Sequence, residues 1–369
     1  MDTADSVVAL TCRDTMDFID STNFERFLKK LSAGGELFVP VRVSESGKLQ
    51  LERIELFPLP DNLCLDGFRT VEPLKAFAQL LRFPVADYPS TGGDDMSDEK
   101  SFPSVVVAGA RGCDLIAFEL IDKVQVEGDF TDPFYRIRRD KMLLIGADCT
   151  ECGASCFCNL LDAKPWPEKG CDIAVSKIQG GYLVEAGSDR GEKLIKESKE
   201  LFTEAREQQV RMREENRAKV VKDLEEKNRS YPKAETMPPV MREALSDEIW
   251  EELAARCVEC GACTNICPTC YCFLLYDRKT DGSHFQRMFA WDSCQLTGYA
   301  RMAGMLNPRP RLADRVKHRL YHKYDYLPLS HGATYCTGCG RCIDTCSASI
   351  DIRELLRRVK EKAGGKKKA

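Results

Sequence analysis

Cys257-Val-Glu-Cys260-Gly-Ala-Cys263-Thr-Asn-Ile-Cys267-Pro268 and Cys336-Thr-Gly-Cys339-Gly-Arg-Cys342-Ile-Asp-Thr-Cys346-Ser347 share the spacing C-x2-C-x2-C-x3-C. Three thiolates on so tight a loop each reach a different iron of one 4Fe-4S cubane. Where the run occurs twice, the fourth ligates the other cubane. Crossing the runs predicts one ligand set of Cys257, Cys260, Cys263 and Cys346, and a second of Cys336, Cys339, Cys342 and Cys267. Ser347 replaces an expected proline but removes no thiolate, and Gly261, Gly338 and Gly340 let backbone approach sulfur. Structural zinc would leave the third cysteine of each run without a role. Covalent haem needs a histidine after C-x2-C, and no such unit has one.

The rest of the chain is long enough to support this unit. At 369 residues and 43% hydrophobic it has material for two or three domains. A net charge of -4 provides no global basic field for nucleic acid or an anionic membrane. Met1 to Cys12 lacks a basic stretch followed by an apolar one, so no export signal is expected. The longest apolar runs, such as Ser104 to Ala110, are of strand length, so no membrane span is expected. The 19 cysteines are therefore expected in a reducing cytoplasm, as metal ligands more than disulfides. No G-x-G-x-x-G, no G-x4-G-K-[ST] and no obvious nucleophile–base pair occurs, so no flavin or nucleotide is expected on this chain alone.

The fold expected is mixed α/β followed by a helical ferredoxin-like unit. Residues 1–190 read as an α/β domain: a helix at Phe24 to Leu31, strand-like runs at Glu36 to Val43 and Lys48 to Leu56, and a polar loop at Ser90 to Lys100. A strand from Val105 leads into a helix ending near Ile121. Further strands lie at Met142 to Ala147, Ile173 to Ile178 and Tyr182 to Ala186. Residues 191–245 read as a charged helical linker, since 21 of the 40 residues from Gly191 to Ser230 are charged. Tyr231-Pro232 and Met237-Pro238-Pro239 are expected to stop helix formation. Ser246 reads as the N-cap of a helix with Ile249, Trp250 and Leu253 on one face, opening a two-cluster domain at 246–355. Residues 356–369 read as a basic tail.

A third thiol group lies in the first domain. Cys113 follows one strand, and Cys149, Cys156 and Cys158 follow another, with Cys152 as an alternative ligand to Cys149. On spacing alone a third cluster and buried, unliganded thiols are equal readings. Arg111, Arg138 and Arg139 stand close in sequence, either screening a cluster's charge or pairing with nearby acids such as Asp132 or Asp140. Cys270, Cys272 and Cys294 lack a partner set and read as packing beside the clusters. His318 and His322 share a helical face with no carboxylate to complete a metal site, which favours packing.

Arg-Gly-Cys-Asp (111–114), Asp-Pro-Phe-Tyr-Arg-Ile-Arg-Arg (132–139), Cys-Phe-Cys (156–158), Cys-Pro-Thr-Cys-Tyr-Cys-Phe (267–273), Trp-Asp-Ser-Cys (291–294), His-Lys-Tyr (322–324) and Cys-Thr-Gly-Cys-Gly-Arg-Cys (336–342) together carry a resemblance. From about residue 100 to 353 the chain resembles the beta subunits of cytoplasmic sulfhydrogenases and the A subunit of anaerobic sulfite reductase. It is also similar to iron–sulfur subunits of flavin-based transhydrogenase and electron-bifurcating complexes. The resemblance implies a non-catalytic wire in an anaerobic redox complex. The wire would join a flavoprotein with NAD(P)H or ferredoxin chemistry to a catalytic subunit of hydrogenase, sulfite reductase or heterodisulfide-reductase type. It also implies a third cluster on Cys113, Cys149, Cys156 and Cys158. Cys152 and the charged insertion depart from the family pattern, and the insertion is a candidate partner-docking helix. Two rival functions remain at this point: an enzyme with an open iron site, and an iron–sulfur redox sensor, for which no basic recognition helix is evident.

Overall fold

The computed structural model describes residues 16–88, 102–243 and 247–365. Eleven strands are given by β1 (Asp17–Asp20), β2 (Glu36–Arg42), β3 (Leu49–Ile54), β4 (Arg82–Tyr88), β5 (Val105–Ala110), β6 (Met142–Ala147), β7 (Ile173–Ile178), β8 (Gly181–Ala186), β9 (Thr203–Glu204), β10 (Phe273–Lys279) and β11 (Phe285–Trp291). The first nine, without β4, form an eight-stranded sheet in the order β3-β2-β5-β6-β7-β8-β1-β9. Its centre, β2-β5-β6-β7, is parallel, and antiparallel strands flank it. Val107, Ile145 and Ile173 are almost wholly buried because both faces are covered. On one side Phe24, Phe27 and Leu28 of the Ser21–Ser32 helix pack down, with Asp20 capping that helix through the Asn23 amide at 2.8 Å. On the other lie Leu115, Phe118 and Ile121 of the Gly112–Gln125 helix.

The segment read as a linker packs on both halves: Ile195, Leu201 and Phe202 join the sheet core, and Ala234, Met237 and Met241 the second core. After a short helix at Asp189–Lys196, β9 adds to the sheet edge beside β1. The charge-rich stretch is therefore two helices rather than one. The second, Glu207–Asn228, keeps a polar outer surface yet buries Arg213, Val220, Leu224 and Asn228. Pro238 and Pro239 do not prevent a helix: they sit in the first turn of Met237–Glu243, where a missing N–H breaks no helical bond.

The second core joins Met237 and Met241 to Ile249, Trp250 and Leu253 of the Asp247–Ala254 helix, Leu320 and Tyr321 of the Leu312–Tyr321 helix, and Leu356 and Val359 of the last helix. That last helix, Ile352–Gly365, occupies most of the stretch read as a tail, because Leu355, Leu356, Val359 and Ala363 give it a buried stripe. The expected Ser90–Lys100 loop and the Ser246 cap lie outside the described residues. A hairpin of β10 and β11, absent from the sequence reading, pairs with β4 from the other half of the chain. No described helix is long and apolar enough to cross a membrane.

Candidate metal centres

Each C-x2-C-x2-C loop opens at a glycine in the left-handed region. Gly261 has φ 71° and Gly340 φ 73°, and each starts a one-turn helix that turns the following cysteine inward. Cys257, Cys260, Cys263 and Cys346 line one pocket, so the structure brings together the thiols of the first predicted set across the two runs. Cys342 and Arg319 line it too, under an apolar cover of Leu253, Val316, Leu320 and Leu355. Burial raises the Cys257 thiol, while Cys260 is exposed.

The second set gathers beside it. The Cys267 sulfur lies close enough to Cys336 and Cys342 to act on both electrostatically. Burial pushes Cys342 up to about 12 and raises Cys336. Cys267 is held below its ordinary value by a hydrogen bond from Cys270 and by nearby Lys323. The Thr337 hydroxyl is buried in this region without a hydrogen-bond partner, and the Tyr324 hydroxyl faces Cys336. Lys323 is delivered by a π-helical turn at His322–Tyr326, a backbone irregularity frequent at functional sites.

The third group is assembled by the sheet. Cys113 lies at the start of the helix after β5, Cys149 just after β6, and Cys156 and Cys158 on the following loop. All four line a pocket together with Cys152 and, from the second ferredoxin run, Cys339. Burial pushes Cys149 up to about 12 against the opposing field of Arg111, and burial also raises Cys113, Cys156 and Cys158. Cys152 is engaged from outside: Lys227 donates to its sulfur at 3.1 Å and to its carbonyl at 2.8 Å. Asn228 donates to the Cys156 carbonyl at 2.9 Å. The Glu207–Asn228 helix therefore covers this pocket with its buried face, and its outer face stays polar.

The three flanking arginines part company. Arg111 is buried and donates to the Leu65 carbonyl at 2.8 Å and to the Asp148 carbonyl, beside Cys149. Arg138 and Arg139 do not join the cysteines. The Pro133–Asp140 helix carries Arg138 onto the rings of Phe83 and Phe102, at 4.3 and 4.5 Å, and Arg139 onto Asp122 at 3.3 Å and the Phe118 ring. Closeness in sequence misleads because this helix leads into the start of β6, whereas Cys149 follows the end of that strand.

Cys270 hydrogen-bonds Cys267, and Cys272 hydrogen-bonds Cys294, which holds these three thiols against the second group. The His318 and His322 rings stack at 5.6 Å, and burial lowers both to about 4, so they are neutral packing groups at pH 7. Two cysteines the sequence reading passed over, Cys64 and Cys171, sit in the sheet domain: Arg42 donates to Cys64 at 3.2 Å, and Cys171 belongs to the core.

The second and third groups meet at a seam that spacing could not foretell. A Cβ on Gly338 would stand 2.5 Å from the Cys158 Cα, and one on Gly340 would stand 2.2 Å from the Ser155 carbonyl. Phe157 donates to the Gly338 carbonyl at 2.8 Å. Arg341, between Cys339 and Cys342, forms a buried ion pair with Asp114 at 2.9 Å and donates to the carbonyls of Thr70 and Glu72 at 3.1 Å each. Among the described residues no three Cys, His, Asp or Glu side chains come close enough to share a single metal ion. Thiols spread around pockets, with buried donors facing them, fit the wider body of a cubane.

Comparison with known proteins agrees with this chemistry. The 4Fe-4S dicluster domain family matches residues 256–350. Over 346 residues the chain is 30% identical to sulfhydrogenase 2 subunit beta of Pyrococcus furiosus, covering 93% of this chain and 98% of that one. Over 189 residues it is 23% identical to the F420-dependent formate dehydrogenase subunit beta of Methanocaldococcus jannaschii, covering 50% of this chain and 40% of that one.

Proposed function

The chain belongs to the iron–sulfur beta-subunit family that includes sulfhydrogenase 2 subunit beta, and from that premise we propose that it is a three-station electron conduit within an oxidoreductase complex. Its class, an iron–sulfur electron-transfer subunit of a hydrogenase- or dehydrogenase-type complex, follows from its relatives. The finer reading assigns the stations. Cys257, Cys260, Cys263 and Cys346 hold the first cluster, Cys336, Cys339, Cys342 and Cys267 the second, and Cys113, Cys149, Cys156 and Cys158 the third. When bound, a 4Fe-4S cluster supplies a one-electron carrier.

The protein's own part is placement. The observation that carries the proposal is the seam at Gly338, where the loop of the second group lies in backbone contact with the loop of the third. Cys339 lines the pocket of the third group, and Cys342 lines that of the first, so the groups form a line with the second in the middle. The exposed Cys260 marks one end of that line as open to a partner. Burial excludes water from the middle station, and the Arg341–Asp114 pair locks the two halves of the chain at fixed separation. Arg111 fixes the backbone at Asp148 that presents Cys149.

On this reading a flavoprotein that handles a nicotinamide nucleotide or ferredoxin docks at one end and a catalytic oxidoreductase subunit at the other, in a reducing cytoplasm. Anaerobic isolation from the native cell, with every chain retained through sizing identified by mass spectrometry, tests it. Co-isolation with a flavoprotein and a catalytic oxidoreductase subunit is expected. A lone chain, or one bound to a regulator, overturns the conduit reading.

A further inference from the structure

Three cations are buried among the cysteines of the C-terminal half: Arg319 at 8% exposure, Lys323 at 3% and Lys75 at 4%. Among the described residues none of their hydrogen-bond partners is a carboxylate. Lys323 donates to the Thr269 hydroxyl and the Tyr335 carbonyl at 2.8 Å each, and to the Cys267 sulfur at 3.4 Å. Lys75 donates to the Cys270 carbonyl at 2.7 Å, with its ammonium 4.2 Å from the centre of the Trp291 ring. Arg319 reaches the Cys263 carbonyl at 3.4 Å, and its Nε is buried with no partner at all. None of the three forms an ion pair with a carboxylate among the described residues. Buried Arg341 does, with Asp114, as does Arg315, with Glu259 at 2.6 Å, whereas buried Arg111 bonds to carbonyls and buried Arg138 lies on rings.

Burying an ammonium or guanidinium without an anion costs several kcal/mol, so a cation kept in such a place implies a counter-charge. A cubane on four thiolates carries net negative charge, and gains one more on reduction. The three cations are not spread evenly. Arg319 lines the first pocket and acts on Cys263 and Cys342, which belong to different groups. Lys323, four residues on, faces Cys267 and Cys336 of the second group. Lys75 enters from the sheet domain on the Lys75–Ala78 turn, toward Cys270 and Cys267.

We infer that Arg319, Lys323 and Lys75 form a buried cationic spine between the two ferredoxin-type thiol groups, which raises the reduction potential of the clusters held there by stabilising their reduced state. These are positioning residues in the sense that they act through the clusters' charge and touch no substrate. The inference rests on the cluster assignment proposed above, and it deepens it by naming the charges that tune the first and second stations. At the third station the buried Arg111 acts on Cys149, and Lys227 binds the spare thiol Cys152.

The test is a redox titration of the anaerobically purified holoprotein, followed by EPR, with iron counted on each sample. Lys323→Gln with full iron is expected to move the midpoint of the second cluster to more negative potential, and Lys323→Arg to leave it near wild type. Arg319→Gln is expected to lower both ferredoxin-type midpoints, with Arg319→Lys recovering part of the shift. If Lys323→Gln does not load iron, Lys75→Gln carries the test, because Lys75 bonds only to a backbone carbonyl, and it too must shift a midpoint downward. Fully loaded neutral variants with unchanged midpoints would falsify the spine while leaving the conduit standing. A wild-type chain that binds no iron would remove both.

Discussion

The two cysteine-bearing halves of this chain build their sites in opposite ways. In the C-terminal half the ligand geometry is local: six of the eight predicted thiols sit on two loops of C-x2-C-x2-C, and only Cys267 and Cys346 cross between them. In the N-terminal half nothing local suffices. Cys113, Cys149 and the Cys156–Cys158 pair come together only because β5 and β6 are parallel neighbours that end on the same side of the sheet. The first kind of site links two loops to each other, whereas the second is held at the ends of sheet strands, and each half also has its own core.

That difference can be broken at the ligands first. Cys346→Ala is expected to lose about four irons, one cubane. It should also lower the melting temperature sharply, because metal binding and folding are linked where thiols cross between helices. Cys113→Ala is expected to lose the same iron but to melt close to wild type. Equal melting losses for the two variants would show that the sheet domain also depends on its metal.

The join between the halves comes next. Arg341→Met leaves Asp114 buried and unpaired, and should destabilise the chain by about 3–5 kcal/mol in chemical denaturation. Adding Asp114→Leu should recover most of that loss. Gly338→Ala forces a side chain into the left-handed region at φ 64° and against the Cys158 backbone. It should cost about 1–3 kcal/mol in backbone strain. It should also weaken magnetic coupling between the second and third clusters in EPR, and unchanged coupling would place the clusters elsewhere.

Two smaller effects sharpen the picture. Cys152→Ala should leave the iron count unchanged, since Lys227 already engages that sulfur. A loss of about four irons would make Cys152 a ligand in place of Cys149. His318 and His322 are lowered to about 4 by burial, so the unfolded chain binds their protons more readily than the folded one. Their contribution to stability is complete above about pH 6.5 and is lost as the pH falls toward about 4. The acid-side loss of stability between about pH 6.5 and 4 should flatten in the double variant to Gln.

Much of this was legible in the sequence for physical reasons. The parallel strands are buried on both faces and read as unbroken apolar runs, as at Val105 to Ala110 and Met142 to Ala147. The helix after Ser246 announced itself through Ile249, Trp250 and Leu253. The hairpin of β10 and β11 did not, because Phe273, Leu274 and Leu275 are all exposed and show no inward–outward alternation. Its pairing with β4 is a contact across most of the chain, which no local pattern encodes. The Glu207–Asn228 helix reads as part of a charged linker because only a few of its side chains, Val220 and Leu224 among them, are buried over the third pocket. The seam at Gly338 has only one sequence signal, a glycine inside a cysteine loop, and that signal is the same wherever backbone must approach closely.

The account stands or falls on whether the site built by the sheet is loaded like the sites built by the loops. Iron and acid-labile sulfide counted on the chain purified without oxygen test this directly. About twelve irons per fully loaded chain are expected, and a value near eight, with both ferredoxin-type clusters present, would contradict the third station.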